Sequence, residues 1–143
     1  MEGANIVAEK KKPKGVAQLK KLADKHFSQA VRLRDSDKNG LAECITCGVK
    51  KHWKDMHAGH FVKRSVSLLR YSEENVNAQC PQCNLYKYGE QYAYSKAIDL
   101  KYGDGKAEEL HAQRFTTHKF NTSELQSIIN EAKEQVKWYE THQ

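Results

Sequence analysis

Two C-x-x-C pairs, "CITC" (Cys44 and Cys47) and "CPQC" (Cys80 and Cys83), constrain this chain more than any other feature. Two intervening residues let both sulfurs of a pair turn toward one ion, and two such knuckles complete the four thiolates of a structural zinc site. Gly48 behind the first pair and Pro81 inside the second suit tight turns. The 32 residues between Cys47 and Cys80 exceed the roughly 15–20 of an ordinary zinc-finger gap, so the ion closes a large loop with room to display something. Two disulfides would require a secreted chain, which nothing signals, and redox C-x-x-C chemistry fits two pairs in one small domain less well than zinc does. Zinc would also supply folding energy, which matters because only 38% of residues are hydrophobic and 29% are charged.

At 143 residues the chain has material for one domain with short tails. The formal charge is +6 with a pI near 9.1, which favours a polyanionic partner. The charge is uneven: residues 1–103 carry 19 basic and 11 acidic side chains, residues 104–143 carry 5 and 7. A solvated basic face with no partner satisfies the charge equally well. No apolar run approaches the roughly 20 residues of a membrane span, and the start "MEGANIVAEKKKPKG" does not read as a signal peptide. The expectation is a soluble, cytoplasmic protein without a membrane partner.

Residues 1–15, ending in "KKKPKG", read as a flexible basic arm. From Val16 to about Arg34, Leu19, Leu22, Ala23, Ala30 and Val31 recur at helical spacing, and "DSDKNG" stops that helix with Asn39-Gly40 as a turn. Between Leu41 and about Asn77, short apolar pieces such as "CIT", "HFV" and "SLLRY" predict small strands and loops. After Cys83, "NLYKYGEQYAYSKAIDLKYG" predicts a helix with Leu85, Tyr88, Tyr92 and Ala93 on one side and Gly103 as its stop. Its tyrosines fit core or groove packing better than a base-stacking ladder. "TSELQSIINEAKEQVKWYE" predicts a final helix, capped by Thr122 or Ser123, whose stripe Leu125, Ile128, Ile129, Ala132, Val136 and Tyr139 docks on its own domain. The divisions are the arm 1–15, a zinc-containing domain 16–110 with its N-terminal helix, and a C-terminal helical extension 111–143.

Inside the loop, "MHAGHFVKR" sets His57 and His60 beside Lys63 and Arg64. Asn84 follows the fourth thiol, so a zinc ion stapling both ends of the loop places Asn84 near the segment that carries the histidines. A histidine alone is usually a surface or core residue. This pair is framed by His52, Asp55, two cations and the asparagines.

These residues carry a resemblance. "HFV", "ENVNAQC" and "CPQCNLYK", with His60, Asn75 and Asn84 in register, resemble the ββα-metal motif of HNH endonucleases. The wider run "CITCG", "MHAGHFVKR", "LRYSEENVNAQCPQCN" and "YGEQY" is similar, more narrowly, to the NinG (Rap) recombination proteins of lambda-like bacteriophages. The match covers about residues 19–110 and is strongest from Cys44 to Asn84. The fold it implies is α+β, a small zinc-stapled ββα-metal (HNH) core flanked by N- and C-terminal helices.

The activity it implies is metal-dependent hydrolysis of DNA phosphodiesters, leaving 5′ phosphate and 3′ hydroxyl. His60 would be the general base, Asn75 would bridge the hairpin and orient it, and Asn84 would coordinate a divalent ion that stabilises the departing 3′ oxygen. Lys63, Arg64 and Lys87 are the candidate phosphate contacts. Many HNH members carry an acid or histidine directly before the base as a metal ligand, and Gly59 stands there instead. His57 is the first replacement, provided Ala58-Gly59 bends the strand, and Asp55 is the fallback. Oxygen ligands favour Mg²⁺ or Mn²⁺ over the Zn²⁺ of the thiolate site, although imidazole also tolerates zinc or nickel. By the same resemblance the substrates are recombination intermediates, branched or single-stranded DNA, in the cytoplasm of a phage-infected host, with a recombinase as partner. A junction-cutting enzyme would gain from a homodimer through the last helix. The competing reading is a non-catalytic zinc-ribbon DNA-binding accessory protein, which needs the cysteines and the basic surface but neither His60 nor Asn84.

Overall fold

The computed structural model describes residues 12–142. Most of the expected basic arm, residues 1–11, lies outside them. The expected first helix is present as α1, Val16–Arg34, and it buries Leu19, Ala23, Phe27, Ala30, Val31 and Leu33. That stripe is wider than a single ridge because the helix has two neighbours, the last helix α4 (Thr122–His142) and the central β structure. α1 and α4 run parallel: Pro13, Lys14 and Leu19 share a groove with Thr122, Ser123 and Gln126 at one end, and Phe27 meets Ile128, Ala132 and Gln135 further along. Leu19, Ala23, Phe120, Leu125 and Ile129 close the apolar seam between them. The cap of α4 is neither Thr122 nor Ser123. Asn121 Oδ1 accepts from Glu124 N (2.8 Å) while Glu124 Oε1 accepts from Asn121 N (3.0 Å), a reciprocal pair that satisfies two free backbone donors.

Between these helices in sequence, and on a different flank of α1 from its seam with α4, lie four short strands in two antiparallel ribbons, so the fold is mixed α+β. β1 (Leu41–Glu43) pairs with β2 (Lys50–His52) and carries the first cysteine knuckle in its turn. β3 (His57–His60) pairs with β4 (Val76–Gln79) in the register His57 to Gln79, Ala58 to Ala78, Gly59 to Asn77 and His60 to Val76. Val76 and Ala58 rest on Phe27 and Val31 of α1, which fixes the hairpin against that helix. A polar hub seals the end of α1 to β4. Arg34 donates to Val76 O and Asn77 Oδ1 (both 3.0 Å), Asp35 Oδ2 accepts from Ala78 N (2.8 Å), and Lys101 donates to Asn77 Oδ1 (2.7 Å). Burial alone would raise the Asp35 carboxyl, but Arg34, Lys101 and the Ala78 amide hold it below its usual value.

The helix expected to start after Cys83 is interrupted. Gln82–Tyr86 forms one wide helical turn in which Lys87 N reaches back to Gln82 O (3.0 Å). Tyr88, Gly89 and Glu90 then all adopt left-handed backbone, with φ of 52°, 85° and 51°. Only afterwards does α2 run from Gln91 to Tyr102, followed by α3, Lys106–Ala112. The break rotates the buried face. Tyr94 and Ile98 are inside, packing with Phe61, Val62, Val66, Leu69 and Leu110, whereas Leu85, Tyr88 and Tyr92, expected on the packed side, are exposed. Among the described residues no helix is long and apolar enough to cross a membrane.

Candidate functional site

The first knuckle turns because Gly48 takes φ +80°, a conformation that glycine adopts without a Cβ penalty. Gly48 N donates to Cys44 O (2.9 Å) and Cys44 N to Val49 O (2.8 Å). Ile45 N donates to Ala78 O (3.0 Å), tying this turn to β4 just before the second knuckle. The ligand atoms of Cys44, Cys47, Cys80 and Cys83 consequently lie within 4.8 Å of one another, with Cys47 and Cys80 sulfurs 3.7 Å apart. Sulfurs at about 2.3 Å from a tetrahedral zinc are separated by about 3.8 Å, so the donor set can hold a structural ion such as zinc. Within this cluster burial and the neighbouring thiols push Cys83 up to about 12, whereas at Cys44 burial is outweighed by hydrogen bonds from the surrounding backbone and Thr46, which bring it down to about 6. Among the described residues this is the one group of three or more histidine, cysteine or carboxylate side chains close enough to share an ion.

His60 stands at the end of β3. Its Nε2 is 2.9 Å from Arg70 O, and because a carbonyl only accepts, Nε2 carries the proton and the Nδ1 lone pair stays free. Burial, with Arg64 and Arg70 adding to it, holds the His60 pKa below its usual 6.5, while the bond to Arg70 and the charge of Asp24 oppose that shift. The neutral form therefore prevails at pH 7. Asn75 is fully buried and spans the loop behind this strand. Its Oδ1 accepts from Val62 N (2.8 Å), and its Nδ2 donates to Val62 O (2.9 Å) and Leu69 O (3.2 Å). The expected bridge is thus built on the backbone two residues beyond His60.

Arg70 is itself anchored to α1. Its Nε donates to Asp24 Oδ1 (2.9 Å), its Nη2 pairs with Asp24 Oδ2, and Tyr71 Oη donates to Asp24 Oδ1 (2.9 Å). Burial raises the Asp24 carboxyl, but the Arg70 and Tyr71 hydrogen bonds outweigh it and leave the pKa below 3.8. Replacing Asp24 by asparagine is expected to cost about 1–2 kcal/mol, after discounting charged hydrogen bonds for partial exposure. Thermal unfolding at pH 7 should show a loss of about 2–8 °C. The contribution is present above pH 3.8 and is lost as pH falls through the folded value, so the two proteins should converge in acid. Equal melting at pH 7 would remove the anchor.

The structure separates the expected pair of histidines. β3 keeps regular pairing through Ala58 and Gly59, without the bend that a shared site required, so His57 and His60 alternate to opposite faces. His57 instead meets Asn84, with His57 Nδ1 2.9 Å from Asn84 Nδ2. An amide nitrogen only donates, so His57 Nδ1 accepts and the Asn84 Oδ1 end is left for another partner. Asp55, the fallback ligand, is exposed at the end of the helical turn Trp53–Asp55 and lines neither cleft that carries His60.

Those two clefts flank His60. One, of about 460 Å³, is lined by Lys63, Arg64, Arg70 and Asp24 together with Asn84. The larger, of about 810 Å³, runs from His60, Lys63 and Asn84 to a far wall of His111, Arg114, Phe115 and His118. Asn84 borders both, so the asparagine and the imidazole face common space although neither bonds the other. Of the three expected phosphate contacts, Lys63 and Arg64 line the smaller cleft with His60, whereas Lys87 is exposed and lines neither cleft. Sequence reasoning missed the far wall, where Arg114 covers the exposed Phe115 ring at 4.4 Å. The adjacent pair Arg114-Phe115 was the available signal, but only the fold shows that it faces His60.

The family model described as "Bacteriophage Lambda NinG protein" matches residues 2–141. The chain is 28% identical over 120 residues to "Protein ninG" of Salmonella phage P22 and to "Protein ninG" of Escherichia phage lambda; each match covers 82% of this chain and 55% of the relative. "Protein ninG" of Escherichia phage 933W is 27% identical over 111 residues, covering 76% and 51%. The chain thus spans about half the length of the curated relatives it matches. No solved structure matches it.

Proposed function

For a chain that belongs to the family of the bacteriophage lambda NinG protein, we propose the function of a metal-dependent DNA endonuclease of the HNH type, with β3, β4 and the turn Gln82–Tyr86 as its ββα-metal core. The observation that carries this reading is His60 itself. It is a neutral imidazole with one nitrogen committed to Arg70 O and the other free, in a basic cleft bordered by Asn84.

His60 Nδ1 takes a proton from water as the water oxygen attacks phosphorus. The P–O3′ bond breaks, leaving a 5′ phosphate and a 3′ alkoxide that takes a proton from solvent to become the 3′ hydroxyl, while the His60 imidazolium returns its proton to solvent. Arg70 O holds the ring by its Nε2–H and keeps the tautomer that leaves Nδ1 basic. Asn84 Oδ1 is the oxygen this segment offers to a divalent ion, Mg²⁺ or Mn²⁺, and His57 fixes that amide by accepting from its nitrogen. Bound there, the ion would neutralise the scissile phosphate and stabilise the departing 3′ oxygen. Lys63 and Arg64 attract the strand, and the wall of Arg114 and Phe115 supports it from the other side. A separate zinc ion bound by Cys44, Cys47, Cys80 and Cys83 would hold the first knuckle to the turn that bears Asn84. The substrates in this reading are branched or single-stranded recombination intermediates in an infected bacterial cytoplasm, handled alongside a recombinase.

The test is cleavage of labelled single-stranded, duplex, flap and four-way-junction DNA in magnesium, manganese and chelator, followed across pH. The base acts in its neutral form and its pKa lies below 6.5. The rate should therefore fall with acid only below pH 6.5 and be flat in that base's ionisation above pH 7. A rate still rising tenfold per pH unit through pH 7–8 would point to another base. Binding of every substrate with no cleavage would hand the protein to the zinc-ribbon accessory reading.

A further inference from the structure

Gln79 holds a polar atom that the rest of the fold leaves unused. The side chain is fully buried at the end of β4. Its Nε2 donates to Gly89 O (2.9 Å) and Thr46 Oγ1 (3.2 Å). The Gly89 carbonyl can only accept, so the nitrogen end of the amide is assigned by its partner. Oε1 then has no hydrogen-bond partner, and among the described residues it is the one buried side-chain nitrogen or oxygen in that position. Buried acceptors of this kind are rare in native proteins and ask for a reason.

Its location supplies one. A Cβ built on Gly59 would lie 2.2 Å from Gln79 Oε1 and 2.9 Å from Gln79 Cβ. Gln79 therefore fills, from the facing strand, the space that any side chain at position 59 would occupy. Position 59 adjoins His60. Gln79 pairs directly with His57, on the face where His57 grips Asn84. The amide is held from three directions: Thr46 in the first knuckle, Gly89 in the left-handed segment, and β4 itself. Gly89 is secured in turn by its amide, which donates to Cys83 O (2.8 Å). A side chain held this firmly with its oxygen left free is arranged as a ligand is.

We propose that Gln79 Oε1 is a ligand of the divalent ion that Asn84 binds, supplied by β4 in place of the side chain that Gly59 does not have. This inference rests on the endonuclease reading for the presence of that ion, and it replaces His57 and Asp55 as the missing donor. Two amide oxygens of this kind suit a hard cation such as Mg²⁺ or Mn²⁺.

The test is Mn²⁺ titration of zinc-loaded protein followed by electron paramagnetic resonance, with and without single-stranded DNA, and with zinc content checked for each variant. Gln79→Met keeps the volume and removes the oxygen; it is expected to weaken Mn²⁺ binding about tenfold or more, with one zinc per chain retained. The reciprocal pair Gly59→Asp with Gln79→Ala vacates the space and returns a carboxylate to it, and it should bind Mn²⁺ more tightly than Gln79→Ala alone. That comparison decides if Gln79→Met fails to fold. Wild-type affinity in Gln79→Met, or no gain from Gly59→Asp in the Gln79→Ala background, overturns the proposal. If wild type takes up no Mn²⁺ in either state, this inference and the endonuclease reading fall together. If Mn²⁺ binds and depends on Gln79 but no DNA is cut, the ligand stands and the endonuclease reading falls.

Discussion

Replacing His60 by alanine is expected to lower metal-dependent DNA cleavage by about 10²–10⁴-fold, the range over which a positioned general base contributes. Mn²⁺ uptake and DNA affinity should stay near wild type, because His60 in this account touches water rather than the ion, and phosphate is held by Lys63 and Arg64. The substitution has a structural cost, since Arg70 O loses the donor seen at 2.9 Å. An unpaired carbonyl costs about 1–3 kcal/mol, less here because the ring is only half-buried and water can enter. Melting should fall by a few degrees, about 2–4 °C per kcal/mol, which leaves the variant folded at the assay temperature. Added imidazole offers a further check, since a missing base can be replaced from solution whereas a misfolded site cannot. Cleavage within tenfold of wild type, at matched zinc content, would remove His60 from the chemistry.

The second large effect is on the fold. Stripping the ion from Cys44, Cys47, Cys80 and Cys83, or replacing Cys83 by serine, is expected to unfold the central hairpins. The apparent binding energy of zinc in small tetrahedral sites is about 10–16 kcal/mol, as large as the whole stability of an ordinary domain, about 5–15 kcal/mol. Apart from the ion, the ties between the first knuckle and the segment of the second are few and neutral: Ile45 N to Ala78 O, Gln79 Nε2 to Thr46 Oγ1 (3.2 Å), and the contacts of Ala42, Met56 and Ala78 with the cysteines. Trp53 packs against that cluster and Arg32 lies 5.2 Å from its ring, so its fluorescence reports the event. The expected result is release of one zinc per chain by a strong chelator, together with a cooperative change in Trp53 emission and loss of Mn²⁺ uptake. An apo protein that melts where the loaded one does would contradict a structural role for the ion.

The parts of this fold that were legible in the sequence are those fixed by local pattern. The bounds of α1 follow from the apolar spacing and the "DSDKNG" stop, where Asp37 Oδ1 takes the amides of Asn39 and Leu41. The thiol cluster follows from spacing alone. The break at Tyr88–Glu90 was not legible, because what holds it is tertiary: Gly89 O serves Gln79 and Gly89 N serves Cys83. An uninterrupted helix was expected, and it assigned Tyr88 and Tyr92 to the wrong surface. The grouping of His60, Asn75 and Asn84 came from motif register. The fate of His57 turned on whether the strand bends at Gly59, and a glycine permits either outcome. Gln79 escaped notice for a related reason: its environment is defined by the missing Cβ of a residue on another strand, 20 positions away. The Asp24–Arg70 contact joins positions 46 apart, beyond any local pattern.

The parallel seam of α1 and α4 bears on the order of assembly. Its partners, such as Leu19 and Leu125, are separated by about a hundred positions, and contacts at such range are slow to close because the intervening chain must first be ordered. During synthesis the stripe of α1 leaves the ribosome long before α4 exists to cover it. The β3–β4 hairpin reaches Phe27 and Val31 sooner, and the cysteine knuckles can close that hairpin as soon as Cys83 is out. Assembly then runs from the centre outward, with the hairpin as a temporary shelter for the first helix and the terminal helix as the last piece to lock. Until α4 docks, a nascent chain carries its β3–β4 hairpin beside an exposed apolar ridge, and in that interval chaperone capture or self-association competes with folding.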